Sequence, residues 1–118
     1  MARILVADDD NEQLVMQRKV LEELNYEVVT AASPAEALAE IARRSPDLTI
    51  IDLGLPQPAD GLALIRQLRE AGHKMPIILL SGWPDDVYGS PEEQMVSRVL
   101  MKGSVRELLQ TIEELLAL

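Results

Sequence analysis

The feature that most constrains this sequence is a repeated change of apolar period, in which a short run of buried-type residues gives way to a helical stripe. Five such runs read as strands: Arg3 to Ala7, Glu27 to Ala31, Leu48 to Asp52, Ile77 to Ser81 and Val99 to Met101, each rich in Val, Ile or Leu. Between them lie stripes at helical spacing: Leu14, Leu21 and Leu24; Ala37, Leu38, Ile41 and Ala42; Leu62, Ile65 and Leu68. The last stripe, Val105, Leu108, Leu109, Ile112, Leu115 and Leu116, keeps the i, i+3, i+4, i+7 spacing throughout and predicts a helix that lays one continuous face on a sheet. This alternation is the mark of βαβ units and a parallel sheet. Five units in 118 residues predict an open doubly wound α/β sheet in one domain spanning 1–118, because a closed eight-stranded barrel needs about 250 residues.

Helix starts are marked by hydroxyls that can accept an orphan backbone N–H, with a Glu three positions on: Ser33-Pro34-Ala35-Glu36 and Ser104-Val105-Arg106-Glu107. Asp10 is expected to cap the first helix. Between Gly82 and Glu93 the pattern breaks. Gly82, Pro84, Gly89, Ser90 and Pro91 leave room for only a short helix around Glu92 to Val96, and this is expected to be the least rigid stretch.

Composition excludes several classes of function. With no Cys and a single His, there is no disulfide framework, thiolate zinc site, cysteine nucleophile or poly-His metal site, and a reducing cytoplasm is the expected setting. A net charge of −9 repels nucleic acid and anionic lipid, so neither direct nucleic-acid binding nor membrane binding is expected. Aliphatic runs of four residues such as Ile77 to Leu80 fall far below the ~20 needed to cross a bilayer. His73, in the Gly72-His73-Lys74 turn, reads as a solvated loop residue, and Met16, Met75, Met95 and Met101 as core filler or partner surface.

In doubly wound sheets ligands bind at the carboxyl ends of the strands. Those ends carry Asp8 and Asp9 after the first strand, Asp52 at the end of the third, Ser81 after the fourth and Lys102 after the fifth. With the first and third strands adjacent, three carboxylates converge, and at ~5 Å each pair costs roughly 3 kcal/mol at an effective dielectric of about 20. Such a cluster calls for a hard cation with oxygen ligands. Mg2+ suits it best, and no calcium-loop spacing follows Asp8.

The chain resembles the receiver domains of bacterial two-component response regulators, the chemotaxis receiver among them. The matching stretches are Ile4 to Asp10, Thr49 to Pro56, Asp60-Gly61, Ile78 to Gly82 and Leu100 to Lys102, in order and along the whole chain. The resemblance implies a flavodoxin-like sheet of strand order 2-1-3-4-5. It implies Asp52 as phosphoacceptor, taking a phosphoryl group from a phosphohistidine. Asp9, Asp52 and the backbone carbonyl of Gly54 would hold Mg2+, with Asp8 acting on the metal mainly through water. Lys102 would pair first with Asp52 and then with a phosphoryl oxygen, and Ser81 would donate to another.

The implied partners are a sensor histidine kinase or phosphotransfer protein, a downstream effector or attached output domain, and a phosphorylation-dependent homodimer. The only chemistry implied is the domain's own aspartyl phosphorylation and dephosphorylation. Three departures stand out: one extra residue before Asp60-Gly61, Gly103 where a proline commonly follows the lysine, and Val99 where an aromatic is usual.

Two rival readings remain open at this point. A pseudo-receiver would keep the fold only as an interaction module, which the intact acidic triad with Ser81 and Lys102 argues against. A flavin protein would find its phosphate repelled by three aspartates after the first strand, and an aspartyl phosphatase would want a second Asp where Gly54 stands.

Overall fold

The computed structural model describes residues 1–54, 57–83, 85 and 87–117. Leu55, Pro56 and Pro84, which belong to stretches singled out above, lie outside the described residues. Five parallel strands, β1 (Arg3–Ala7), β2 (Glu27–Ala31), β3 (Leu48–Asp52), β4 (Ile77–Ser81) and β5 (Arg98–Met101), form one sheet in the order β2-β1-β3-β4-β5. The helices are α1 (Asn11–Glu23), α2 (Pro34–Arg43), α3 (Pro58–Glu70) and α4 (Val105–Leu116). The first four strands have the bounds that the sequence predicts, and β5 starts one residue earlier.

Strands β1, β3 and β4 are buried along their whole length, because helices cover both faces of the sheet. Alternate residues therefore feed two cores. Leu5, Ile51 and Leu79 pack with Ile41, Leu64, Ile65 and Leu68 of α2 and α3. Ile4, Val6, Ile50 and Ile78 pack with Leu14 and Leu21 of α1 and Leu108, Ile112 and Leu115 of α4.

Capping follows the sequence. Asp10 Oδ1 accepts from the Glu12 N–H at 2.9 Å, Ser33 Oγ from Glu36 at 3.1 Å and Ser104 Oγ from Glu107 at 3.2 Å. Glu36 reaches back to the N–H of Ala32, one residue beyond the cap itself. Gly61 shows why small size matters in the Asp60-Gly61 pair: a Cβ there would lie 2.6 Å from the Leu53 carbonyl. Without a side chain, α3 can press against the chain just after Asp52.

The short helix expected around Glu92 to Val96 is a 3-10 turn, Pro91–Met95, so the five strands are accompanied by four α-helices among the described residues. Three details of the sequence reading are corrected. Leu24 follows the end of α1 as its cap and is 49% exposed. Ala42 and Val105 also face outward. Leu64, absent from the predicted stripe of α3, is fully buried, because α3 is covered on a wider arc than one 3.6-residue stripe.

Candidate functional site

The carboxyl ends of β1, β3 and β5 lie at one edge of the sheet, because all its strands run parallel. Asp8, Asp9 and Asp52 each present a carboxylate oxygen, and these atoms lie within 4.8 Å of one another. Asp8 and Asp52 are buried and Asp9 is exposed. Main-chain register puts them there: Asp8 N–H extends the β1–β2 ladder to Ala31 O, and Leu53 N–H extends the β3–β4 ladder to Leu80 O. The first of the three aspartates is thus held inside, while the second turns out toward solvent.

Each buried carboxylate has a polar anchor. Asp8 Oδ1 accepts from the Asp10 N–H at 3.0 Å, and Asp52 Oδ1 accepts from the Gly54 N–H at 3.1 Å. The other oxygen of Asp52, Oδ2, lies 2.6 Å from Lys102 Nζ. Lys102 reaches across from β5, its own N–H bonded to Ser81 O. One ammonium facing three carboxylates leaves a deficit of positive charge. The Asp8 carboxyl accordingly is pushed up to about 6, first by burial and then by the neighbouring Asp52 carboxylate, against the opposing pull of the Asp10 N–H.

The donor set, three carboxylates at one point, two of them buried, fits a hard divalent cation. Binding one would offset both the burial and the like-charge repulsion that raise the Asp8 carboxyl above its ordinary range. The carboxylates open into a cleft of about 660 Å3, which continues between α1 and the start of α4 past Met16, Gln17, Val105 and Leu108. Sequence reading did not find these four as cleft residues. In the sequence Met16 reads as core filler or partner surface, and Val105 and Leu108 as part of a core-facing stripe. Only the approach of α1 to the β5–α4 turn brings them beside Asp52.

Ser81 is buried at the same edge, and its Oγ accepts from the Trp83 N–H at 3.0 Å. Among the described residues its hydroxyl makes no hydrogen bond to the side chain of Asp52 or Lys102. Trp83, two residues after Ser81, is 66% exposed and does not line the cleft. Val99 is half-buried against the α2–α3 core.

A third buried carboxyl lies away from this edge. Glu92, in the 3-10 turn, pairs with Arg66 of α3 at 2.5 Å, and this pairing holds it below the usual carboxylate range. Arg69 donates to the carbonyls of Met95, His73 and Met75. The pairing of Arg66 with Glu92 leaves no mark in the sequence, since 26 residues separate them.

A family model, the response regulator receiver domain, matches residues 4–113. Among curated proteins, the chain is similar to the alkaline phosphatase synthesis transcriptional regulatory protein PhoP of Bacillus subtilis, with 35% identity over 79 residues, 67% of this chain and 32% of that one. It is 40% identical over 79 residues to the response regulator MprA of Mycobacterium sp. (strain KMS), covering 67% and 34% of the two chains. The chain therefore spans about a third of the length of these relatives. Among solved structures, the response regulator TrrA of Thermotoga maritima in complex with Mg2+ and BeF superposes with a TM-score of 0.86 at 27% identity, over 98% of this chain and 99% of that one. The BeF3-activated receiver domain of Klebsiella pneumoniae RstA gives 0.85 at 27% identity, over 98% and 99%.

Proposed function

The chain belongs to the response regulator receiver domain family, and from that premise we propose that Asp52 is its phosphoacceptor, with Asp8, Asp9 and the Gly54 carbonyl completing a Mg2+ site. The observation that carries this reading is the 2.6 Å contact of Lys102 Nζ with Asp52 Oδ2 inside a cluster of three carboxylates. A carboxylate with one oxygen tied to an ammonium and the other to a backbone N–H is fixed in direction. Among the described residues it is also the one member of the cluster in an ion pair.

Asp52 attacks the phosphorus of a phosphohistidine. An O–P bond forms, the N–P bond breaks, and the electron pair returns to the ring nitrogen of the donor. Phosphoryl transfer has a loose transition state, so the protein's part is alignment and neutralisation of charge. Lys102 moves from the Asp52 carboxylate to a phosphoryl oxygen. Ser81 exchanges its contact with the Trp83 N–H for donation of its hydroxyl to another. Bound Mg2+ supplies further positive charge against the carboxylates and the phosphoryl oxygens. The same group is hydrolysed off Asp52 in time, so the domain is a phosphoacceptor and turns over only its own modification.

The donor is a sensor histidine kinase or phosphotransfer protein, and the output is an effector, an attached domain or a phosphorylation-dependent homodimer. None of the described helices is long and apolar enough to cross a membrane, and a cytoplasmic place fits the absence of cysteine. Acetyl phosphate with Mg2+ tests the proposal. Intact mass is expected to rise by one phosphoryl group in the wild type and not in Asp52→Asn. A fold kept only for binding partners would gain no mass in either.

A further inference from the structure

Lys102 stands at a joint in the chain. Its N–H donates to Ser81 O at 3.0 Å, so the backbone follows the sheet up to this residue, and its side chain ends on Asp52. Two residues on, Ser104 already caps α4. Between them lies Gly103, whose φ is +110°, a region that L side chains rarely enter and that the proline ring, locked near −65°, cannot reach. A Cβ on Gly103 would meet nothing within 4 Å. The demand for glycine here is one of conformation, with no steric part.

A residue that cannot hold this φ must pass the misfit to one side or the other. On the downstream side, α4 is seated by Leu108, Ile112 and Leu115, all buried, and by its cap. On the upstream side, the Lys102 side chain is 45% exposed and is held by one ion pair. The weaker side yields. We propose that Gly103 is a positioning residue: its left-handed turn lets the chain pass from β5 into α4 with Lys102 Nζ on Asp52. What this means for phosphoryl acceptance rests on the function proposed above, whereas the aim of Lys102 does not.

The test reads the Lys102–Asp52 contact directly. The full chain, without metal, is acetylated with limiting acetic anhydride, and each lysine is followed by peptide mass spectrometry. Lys19 and Lys74, both exposed, serve as internal references. Removing the partner in Asp52→Asn is expected to speed labelling of Lys102 relative to them. Gly103→Ala and Gly103→Pro are expected to raise the same ratio about fivefold, the low end of what a strained backbone position costs. Gly103→Asn, which tolerates positive φ better, should stay nearer the wild type.

In the Asp52→Asn background the Gly103 substitutions should add nothing, since the contact is already gone. Should Gly103→Pro fail to fold, Gly103→Ala decides, because its side chain enters open space. A wild-type ratio in Gly103→Ala, or a rise shared equally by all three lysines, overturns the proposal. A wild type that gains no mass from acetyl phosphate and Mg2+ would instead sink the phosphoacceptor reading, and the labelling ratios would still decide the role of Gly103.

Discussion

Asp8 and Glu92 are carboxyls with almost the same burial, 3% and 5% exposed, yet their environments drive them in opposite directions. Asp8 sits beside other carboxylates and is pushed up to about 6, first by burial and then by Asp52. Glu92 sits against the Arg66 guanidinium and is held low. The carboxyl edge of the sheet thus leaves a charge deficit for something from outside to fill. The β4–β5 crossing finds its counterion in Arg66 of α3 and leaves no such deficit at Glu92. The state of a buried carboxyl is set by burial and neighbouring charge together: for Asp8 both push the same way, and for Glu92 the Arg66 guanidinium outweighs burial.

The largest effect expected from this contrast is on cation binding. Asp9→Ala should weaken Mg2+ binding by about tenfold or more, as loss of one carboxylate from the cluster removes at least ~1.4 kcal/mol of attraction. Glu92→Gln should leave the affinity unchanged. Isothermal titration of both variants breaks the comparison if the Glu92 variant loses binding as well.

Next comes stability without metal, where the two sites should respond with opposite sign. Glu92→Gln is expected to destabilise by about 1–2 kcal/mol through loss of a charged hydrogen bond. Asp8→Asn should stabilise by about 1 kcal/mol, because the amide can still accept from the Asp10 N–H while the repulsion of Asp52 is removed. Urea midpoints measured in chelator decide both.

The pH dependence sharpens the same point. The folded Asp8 carboxyl holds its proton to a higher pH than in the unfolded chain, so its contribution falls as pH rises from roughly 4 to about 6. Glu92 is depressed, so its contribution is present above the ordinary Glu value, and is lost as pH falls through the depressed one. Asp8→Asn should flatten the first slope and Glu92→Gln the second. Mg2+ affinity should also fall below about pH 6, since a protonated Asp8 competes with the metal.

A smaller effect would join the two regions. Beryllofluoride with Mg2+ adds negative charge beside Ser81 and Lys102, and the crossing from Gly82 to Val96 starts at Ser81. Backbone amide signals in that stretch are expected to shift, with little change at the Val99 methyls, because a β-branched side chain has few rotamers to exchange. A rotameric change at Val99 with the crossing undisturbed would separate the two regions again. Smallest of all is Trp83→Ala, expected to change stability by no more than about 0.5 kcal/mol, as its ring is largely in solvent.

The sequence by itself determined the sheet and the residues at its edge. Runs such as Ile77 to Ser81 and Leu48 to Asp52 carry their own limits, because strand bounds depend on local apolar period and on the charges or prolines beside it. The acidic residues were legible for the same reason: each closes its strand. Tertiary structure decided everything that depends on a distant partner. The burial of Leu64, the contact of Gly61 with Leu53, the cleft beside Met16 and the pairing of Arg66 with Glu92 all join segments that carry no mark of one another. The opposite states of Asp8 and Glu92 belong here too, since a carboxyl's charge answers to what lies within a few ångströms in space, and periodicity along the chain records only which face a residue is on.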